Sequence, residues 1–473
     1  MPDDRGRKAS SVDLDEHQLL LPPAEDYEYQ SLFYRHEAVF VSPKETKLYK
    51  RRWAFLIILA SAFLLNGFQN IQYSGLQSNV AVYYQVSAQV FDLLTQMYYF
   101  AFVVCFLPAT WVMKNIGLRW IAISATVAML TGEGFCFLSA SRRSFFWAAV
   151  VGQLFNGVAQ VFLMSVPILF SVTWFEPKMA ATASSILLLC FQLGNGLALV
   201  LPPIAVPHSS NMDFVGQRMN FLFCGTTIFS CILVLLILLV FPERPPLPPS
   251  QSQAAVINRD EGMSYLDDLK ILMKNCEFIK IVFCFGLNSG AFNAITTFVG
   301  PDTIKSHPSV SAATAGEIGS SMIFVGAVGM IASGFILDRT KTFLVVGVIE
   351  TLCCFLSSVF FAIAINCWRT WTLWLITAFL GYFFSSFTNT GSQISAELTY
   401  PVSESHSTSI IMAAASAFSM ILIAIMRQIL KHISLLGSNI FFSCVLFIAF
   451  VLMVTVNGEM KRTAAERKQS NNQ

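Results

Sequence analysis

Charge is what this sequence has least of. Only 12% of its 473 residues are Asp, Glu, Lys or Arg, against 55% hydrophobic ones. Soluble domains carry about 25% charged residues, so a water-solvated globule is excluded and lipid must surround most of the chain. Net charge is also small, +2 at pH 7, which speaks against a nucleic-acid partner with its demand for a basic face. Metal and redox signatures are missing. The 11 cysteines form no CxxC pair and share no ligand spacing with histidine. Most lie inside apolar runs and read as small apolar fillers, the adjacent Cys353 and Cys354 included. No metal and no cofactor is expected. The first fifty residues hold no apolar core of a signal peptide, so the first spanning helix is expected to serve as the insertion signal. Within the apolar runs no Ser/His/Asp or metal-spaced set coincides, so an enzyme is not expected.

What the sequence does have is apolar runs of spanning length, about 20 residues each. They fall at 53–80, 91–113, 118–139, 145–173, 181–206 and 218–241, and after a break at 278–301, 314–337, 342–365, 371–396, 405–427 and 435–457. The break opens with the Pro-rich string Phe241 to Ser250 and continues into the basic, amphipathic segment 265–280. The expected organisation is a tail (1–50), a six-helix bundle (51–241), a linker (242–277), a second six-helix bundle (278–457) and a short tail (458–473). With the N-terminus in the cytoplasm, the other side receives seven of the 30 Lys and Arg: Arg142, Arg143, Arg218, Lys305, Arg369, Arg427 and Lys431. That bias places both termini and the linker in the cytoplasm.

The halves repeat. After span 2 comes Trp111-Val112-Met113-Lys114-Asn115-Ile116-Gly117-Leu118-Arg119, and after span 8 Gly334-Phe335-Ile336-Leu337-Asp338-Arg339-Thr340-Lys341. Both resemble the loop motif Gly-x-x-x-Asp-Arg-x-Gly-x-Arg of the major facilitator superfamily. The second copy keeps Gly, Asp and Arg; the first has Lys114 where the acid should be. The resemblance implies an all-α membrane protein with the major facilitator fold, in which two bundles rock about a site near the bilayer midplane and helices 1, 4, 7 and 10 line the cavity.

Polar residues in those four spans fall on shared helical faces. Span 1 carries Asn66, Gln69, Asn70 and Tyr73; span 4 carries Gln153, Asn156 and Gln160. Span 7 carries Asn288, Phe292 and Thr296 with Asn293 beside them, and span 10 carries Ser386, Asn389, Thr390, Gln393 and Glu397. Polar side chains in lipid normally face protein or a wet cavity. The stripes read either as a solvated pathway or as hydrogen-bonding ties between helices. Acids are sparse: Glu133 and Glu350 lie in apolar runs, and the stripes of spans 1, 4 and 7 hold none, which favours facilitated transport over proton coupling.

Longer strings narrow the resemblance. Gly67-Phe68-Gln69-Asn70-Ile71-Gln72-Tyr73-Ser74, Pro108-Ala109-Thr110-Trp111, Val158-Ala159-Gln160-Val161-Phe162, Ser289-Gly290-Ala291-Phe292 and Ala396-Glu397-Leu398-Thr399-Tyr400-Pro401 resemble the feline leukemia virus subgroup C receptor family of heme/choline transporters. The likeness runs in order over about residues 51–459. It implies that Gln160 contacts the solute. The family's aromatic cage, a cation–π device, is replaced: Asn70 and Asn293 stand at its two aromatic positions, and Ser416 at a second glutamine. Tyr73, Tyr98, Tyr99 or Phe292 could supply other rings. The expected function is a facilitative carrier of a choline- or ethanolamine-like amine, or of heme, for which His208 and His307 are the loop candidates. Gln160 would orient the solute, with Gln69, Asn70, Tyr73, Asn156, Phe292, Asn293, Gln393 and Ser416 along its path. Asp338, Arg339, Lys341 and Glu397 would act in closing the cytoplasmic side. A lysosomal, pyridoxine-like vitamin carrier and a non-transporting receptor or scaffold are the alternatives.

The tail adds Asp15-Glu16-His17-Gln18-Leu19-Leu20-Leu21, which looks like an acidic dileucine signal. Endosomal sorting adaptors are the implied partners, and a plasma or an endosome/lysosome membrane the implied location.

Overall fold

A computed structural model describes residues 48–243, 245, 265–307, 310–367, 370–400, 402, 404–458 and 460. The dileucine-like string and most of the linker lie outside the described residues. Among the described residues, twelve helices are long and apolar enough to cross a membrane. They are α1 (Arg52–Ile71), α2 (Leu93–Asn115), α3 (Leu118–Ala140), α4 (Phe146–Leu163), α5 (Pro177–Ala205), α6 (Met212–Val240), α7 (Cys276–Ser306), α8 (Ala312–Thr340), α9 (Phe343–Cys367), α10 (Thr370–Thr399), α11 (Glu404–His432) and α12 (Leu435–Val454). Among the described residues there is no strand. Helices are what a lipid-solvated chain must form, because hydrocarbon offers no water to satisfy N–H and C=O groups. The outward side chains match that solvent: Ile57, Phe221 and Leu239 are 66%, 73% and 81% exposed.

Three segments differ from the sequence expectation. The first apolar run is not one helix. It ends at Ile71, tightens into a single 3₁₀ turn at Ser74–Leu76 and resumes as the short helix Gln77–Tyr83. Gly75 packs there on Pro203 of α5, with 2.8 Å between the position of a Cβ and Pro203 Cγ. The fourth run also breaks, resuming after α4 at Val166–Trp174. Pro167 has no N–H for the carbonyl of Leu163, so the ladder cannot continue. The basic segment 265–280 divides into a surface helix, Tyr265–Lys274, and the first turn of α7. Asn275 separates them and caps α7 by accepting from the N–H groups of Glu277 and Phe278, a standard use of Asn at a helix start.

Helices α1–α6 form one bundle and α7–α12 the other. The first is filled by Phe63, Ile121, Met129, Phe170 and Ile237. The second is filled at one level by Ile295, Phe361, Leu380 and Phe384 and at another by Phe278, Phe285, Phe387 and Ile394. The bundles meet along α5 with α8 and α2 with α11. Gly316 lies so close to the carbonyl of Leu199 that any Cβ would collide with it, and a Cβ on Gly196 would lie 2.7 Å from Phe324 Cε1. Small residues of this kind let helix backbones approach in lipid. Because the spans alternate direction, both ends of the described chain share one face, called proximal below; the other is distal. The Asn457 N–H donating to Glu277 Oε2 at 2.8 Å fits this arrangement.

The first loop motif ties proximal helix ends together. Arg119 Nη2 donates to the Leu238 carbonyl at the end of α6, 2.9 Å away. Glu243 packs against Gly117, within the space a Cβ would fill. An acid from beyond α6 therefore reaches the motif that lacks its own. In the second copy, Lys341 caps α8 in the left-handed region with φ 52°. It occupies the position of the motif's second glycine, the residue that adopts this conformation at least cost.

Candidate solute site

Helices α1, α2, α5, α7, α8 and α11 come together near mid-depth, where the bundles touch. Tyr98 and Tyr99 of α2 pack with Ala291, Ala294 and Ile295 of α7 and Leu422 and Ile423 of α11. Phe68 and Ile71 of α1 pack with Leu199 of α5 and Ile323 of α8, and Phe292 of α7 joins that cluster. Phe292 also meets Phe384 of α10 with ring centroids 5.3 Å apart. Around this junction stand polar groups that the fold leaves unpaired. Gln69 is fully buried with neither amide atom bonded. Asn70 donates to Asn195 Oδ1 of α5 at 3.2 Å, while its own Oδ1 has no partner. The Tyr99 hydroxyl faces Asn70 without closing a hydrogen bond, and on α4 the amide oxygen of half-buried Gln160 is unpartnered. Buried polar groups are normally paired. A concentration of unpaired ones at the junction of two mobile halves suits a polar solute or its water.

Other stripe residues are spent within a bundle. Asn66 donates to the Asn156 carbonyl at 3.2 Å and accepts from the Tyr98 hydroxyl at 3.0 Å. Asn389 of α10 donates to Ser333 Oγ of α8 at 3.0 Å. Asn293 donates to Ser419 Oγ of α11 at 2.9 Å, whereas Thr390 faces Glu350 of α9 without closing a hydrogen bond. Tyr73 leaves the expected path: it is 1% exposed and packs on Phe91 and Phe223 inside the first bundle. Asn156 leaves it too, because its Nδ2 donates to Glu133 and its Oδ1 abuts Gly132 of α3. Ser416 is 7% exposed and donates back to the Met412 carbonyl at 3.0 Å. Gln393 is half-buried on α10.

Glu133 sits at the centre of the first bundle's polar network. It is fully buried and accepts from Gln72 Nε2 at 3.0 Å, Asn156 Nδ2 at 3.1 Å and Thr226 Oγ1 at 2.5 Å. One carboxyl thereby joins α3, α4, α6 and the end of α1. An acid in an apolar run thus packs helices together, with donors satisfying its oxygens.

Of the proximal candidates, Arg339 is exposed in the last turn of α8 beside Asp338, and Glu397 is 6% exposed near the end of α10. Lys341 acts first through its backbone, as described above. An ion pair joins the bundles on the other face. On the distal face Arg427 of α11 grips Asp92 at the start of α2, Nε to Oδ2 at 2.5 Å and Nη2 to Oδ1 at 2.7 Å. Lys431 adds a bond to Gln89 Oε1 at 3.3 Å. The protein is therefore held closed on the distal side. Sequence reasoning missed this pair because 335 residues separate its members. Tyr99 was seen only as a ring, and Asn195 was passed over on a helix not expected to line the cavity. The loop histidines are engaged locally: His208 Nδ1 with Asn79 Oδ1, and His307 Nδ1 with Ser306 Oγ. Among the described residues, no three His, Cys, Asp or Glu side chains gather as a metal-ligand set.

Two six-helix bundles, a polar junction at mid-depth and an ion pair across one mouth are the layout of an alternating-access carrier. The chain belongs to the Major Facilitator Superfamily, whose family profile matches residues 54–364, and within it to the family of the FLVCR choline/ethanolamine transporters. It is 30% identical to the Choline/ethanolamine transporter flvcr2a of Danio rerio over 91% of this chain and 92% of that one. It is 29% identical to the Choline/ethanolamine transporter FLVCR2 of Homo sapiens over 89% and 80%. With the Choline/ethanolamine transporter FLVCR1 of Felis catus it shares 30% over 88% and 75%. Two solved structures share the fold. One is the transporter FucP in the outward conformation, with TM-score 0.63, 14% identity and coverage of 87% and 100%. The other is a bacterial homologue of the human lysosomal transporter Spinster, inward-facing and unoccupied, with TM-score 0.65, 12% identity and coverage of 87% and 98%.

Proposed function

We propose that this protein carries a small organic solute with an ammonium group, of the choline/ethanolamine kind, down its gradient by alternating access. Its proximal face, with both termini, would lie in the cytoplasm, and the membrane would be the plasma membrane or that of endosomes and lysosomes. The observation that carries the reading is the set of amide and hydroxyl atoms left without a hydrogen bond on Gln69, Asn70 and Tyr99 near the bundle junction, together with the amide oxygen of Gln160 on α4. An ammonium would lie against the rings of Tyr99 and Phe292, where cation–π attraction is available. Gln160 would orient its hydroxyl-bearing end, and Asn70 would supply a hydrogen-bonding wall where a cage aromatic is replaced. Glu133 is held by three donors inside one bundle, a poor position for ferrying protons with the solute.

The test is uptake of labelled choline and ethanolamine into proteoliposomes holding the purified chain, with pyridoxine and a heme analogue in parallel. Saturable uptake of an amine that needs no pH gradient, cut sharply by Gln160→Ala at equal protein level, supports the reading. Uptake of pyridoxine or heme alone replaces the solute. No uptake of any of the four favours the receptor or scaffold.

A further inference from the structure

The distal ion pair has a second acid beside it. Asp92 is 3% exposed, and Gln77 Nε2 also donates to its Oδ1 at 3.3 Å. The guanidinium of Arg427 lies over the ring of Phe298 of α7, 4.6 Å from its centroid. One helical turn further along α7 is Asp302, 2% exposed, with Oδ2 lacking any hydrogen-bond partner. Arg427 and Lys305 are the charges that act on it. Arg427 and Asp302 belong to the second bundle, Asp92 to the first. The closed state thus holds one satisfied carboxylate, one unsatisfied carboxylate and a single, largely buried arginine between them. A buried acid left without its full complement of donors is costly. A fold that keeps one here has a use for it in another state.

Next to this group, a cavity of about 340 Å³ crosses the bundle boundary. Its wall includes Gln77 and Ala88 from the first bundle, and Thr296, Lys305 and Ala315 from the second. Ser74, also in the wall, is buried with an unpartnered hydroxyl.

We propose that Asp92 is a second, distal binding site for an organic ammonium, filled in this closed state by Arg427 as a tethered cation, and that Arg427 moves to Asp302 when the solute takes its place. The proposal rests on the reading of the chain as an ammonium carrier. Its logic is charge exchange. Guanidinium and ammonium are both cations that a carboxylate attracts, the first through N–H donors and a quaternary ammonium through charge alone, so Asp92 stays neutralised when one replaces the other. Asp302 gains the partner it lacks. The ion pair lost is the one across the bundles, so the distal mouth opens because solute has arrived. A neutral solute leaves Asp92 unpaired and has no such effect.

The exchange makes two like substitutions act in opposite directions. Asp302→Asn removes the second home of Arg427 and holds the mouth shut. Asp92→Asn removes the first and lets it open. The experiment places the full-length chain in liposomes, oriented with the distal face outward, with Ala315→Cys as reporter and the chain without that cysteine as background. Ala315 lines the cavity and is 1% exposed. A membrane-impermeant maleimide then reads opening as labelling rate, with choline as the probe. Choline should raise the rate several-fold in the parent. Asp302→Asn should lower the rate and blunt the choline effect, and Asp302→Glu should restore both. Asp92→Asn should raise the basal rate and abolish the response to choline. Equal rates in the parent and Asp302→Asn, or a choline response that survives Asp92→Asn, overturns the proposal. If Asp92→Asn does not fold, Arg427→Gln gives the same reading, and a basal rate no higher than the parent's overturns it. Failure of the carrier reading is seen separately, as a parent that takes up neither choline nor ethanolamine.

Discussion

Asn156 of α4 gives its amide hydrogen to Glu133 of α3, 3.1 Å away. An amide whose helical stripe aims it at the solute path thus turns its donor back into the bundle. The first bundle is held by this inward polar network as much as by its apolar filling, which sets the first expectation.

Glu133→Ala strands the buried amide donors of Gln72 and Asn156 and takes one acceptor from the half-buried Thr226 hydroxyl, which keeps the Phe223 carbonyl. Each unpaired buried group costs about 1–3 kcal/mol, so the protein should lose much of its thermal stability in detergent. Glu133→Gln keeps the volume and one acceptor oxygen and should lose less. Intrinsic fluorescence during heating measures both. Uptake per folded molecule should hold in Glu133→Gln; a fall in uptake at equal stability would give Glu133 a part in transport.

Tyr99→Phe tests the opposite kind of group. The Tyr99 hydroxyl is buried and faces Asn70 without closing a hydrogen bond, so its removal should leave the melting temperature nearly unchanged. If that hydroxyl meets the solute, KM for choline should rise about tenfold, the equivalent of about 1.4 kcal/mol. A KM equal to the parent's takes Tyr99 out of the site.

Lys341 carries φ 52° at the end of α8. A left-handed conformation costs a residue with a Cβ about 1–2 kcal/mol. Lys341→Gly should therefore fold at least as well as the parent, and the β-branched Lys341→Val markedly worse. Yield of monodisperse protein ranks the three. A collapse of Lys341→Gly would mean that the ammonium, not the backbone, is what this position needs.

In cells, Leu19→Ala with Leu20→Ala should shift the protein toward the plasma membrane, read by surface biotinylation. An unchanged surface fraction discards the dileucine reading of the tail.

Twelve spans were legible because lipid leaves so few options: long apolar runs, each forced to satisfy its own backbone. What apolarity cannot register is where a run bends. The break after Leu163 needed Pro167 read as a missing donor, and the turn at Ser74–Leu76 depends on Gly75 against a proline from a distant helix. At the proposed site, helical spacing put Gln69, Asn70 and Gln160 on shared faces with their neighbours but could not separate an unpaired amide from a tying one. Asn156, Asn389 and Asn293 share that spacing and end in hydrogen bonds to Glu133, Ser333 and Ser419. Only the identity of the facing helix decides between them. Asp92 with Arg427 shows the same limit, since no periodicity links two charges at opposite ends of a chain.

The interruption of α4 falls just beyond Gln160, whose carbonyl accepts the N–H of Met164 at 2.9 Å, the last rung before the ladder stops. A side chain seated on that rung works like a hand on the end of a lever. If Gln160 holds the solute as proposed, whatever grips its amide would also pull on the end of the interrupted rod, so that seizing cargo and flexing the helix would be a single mechanical act.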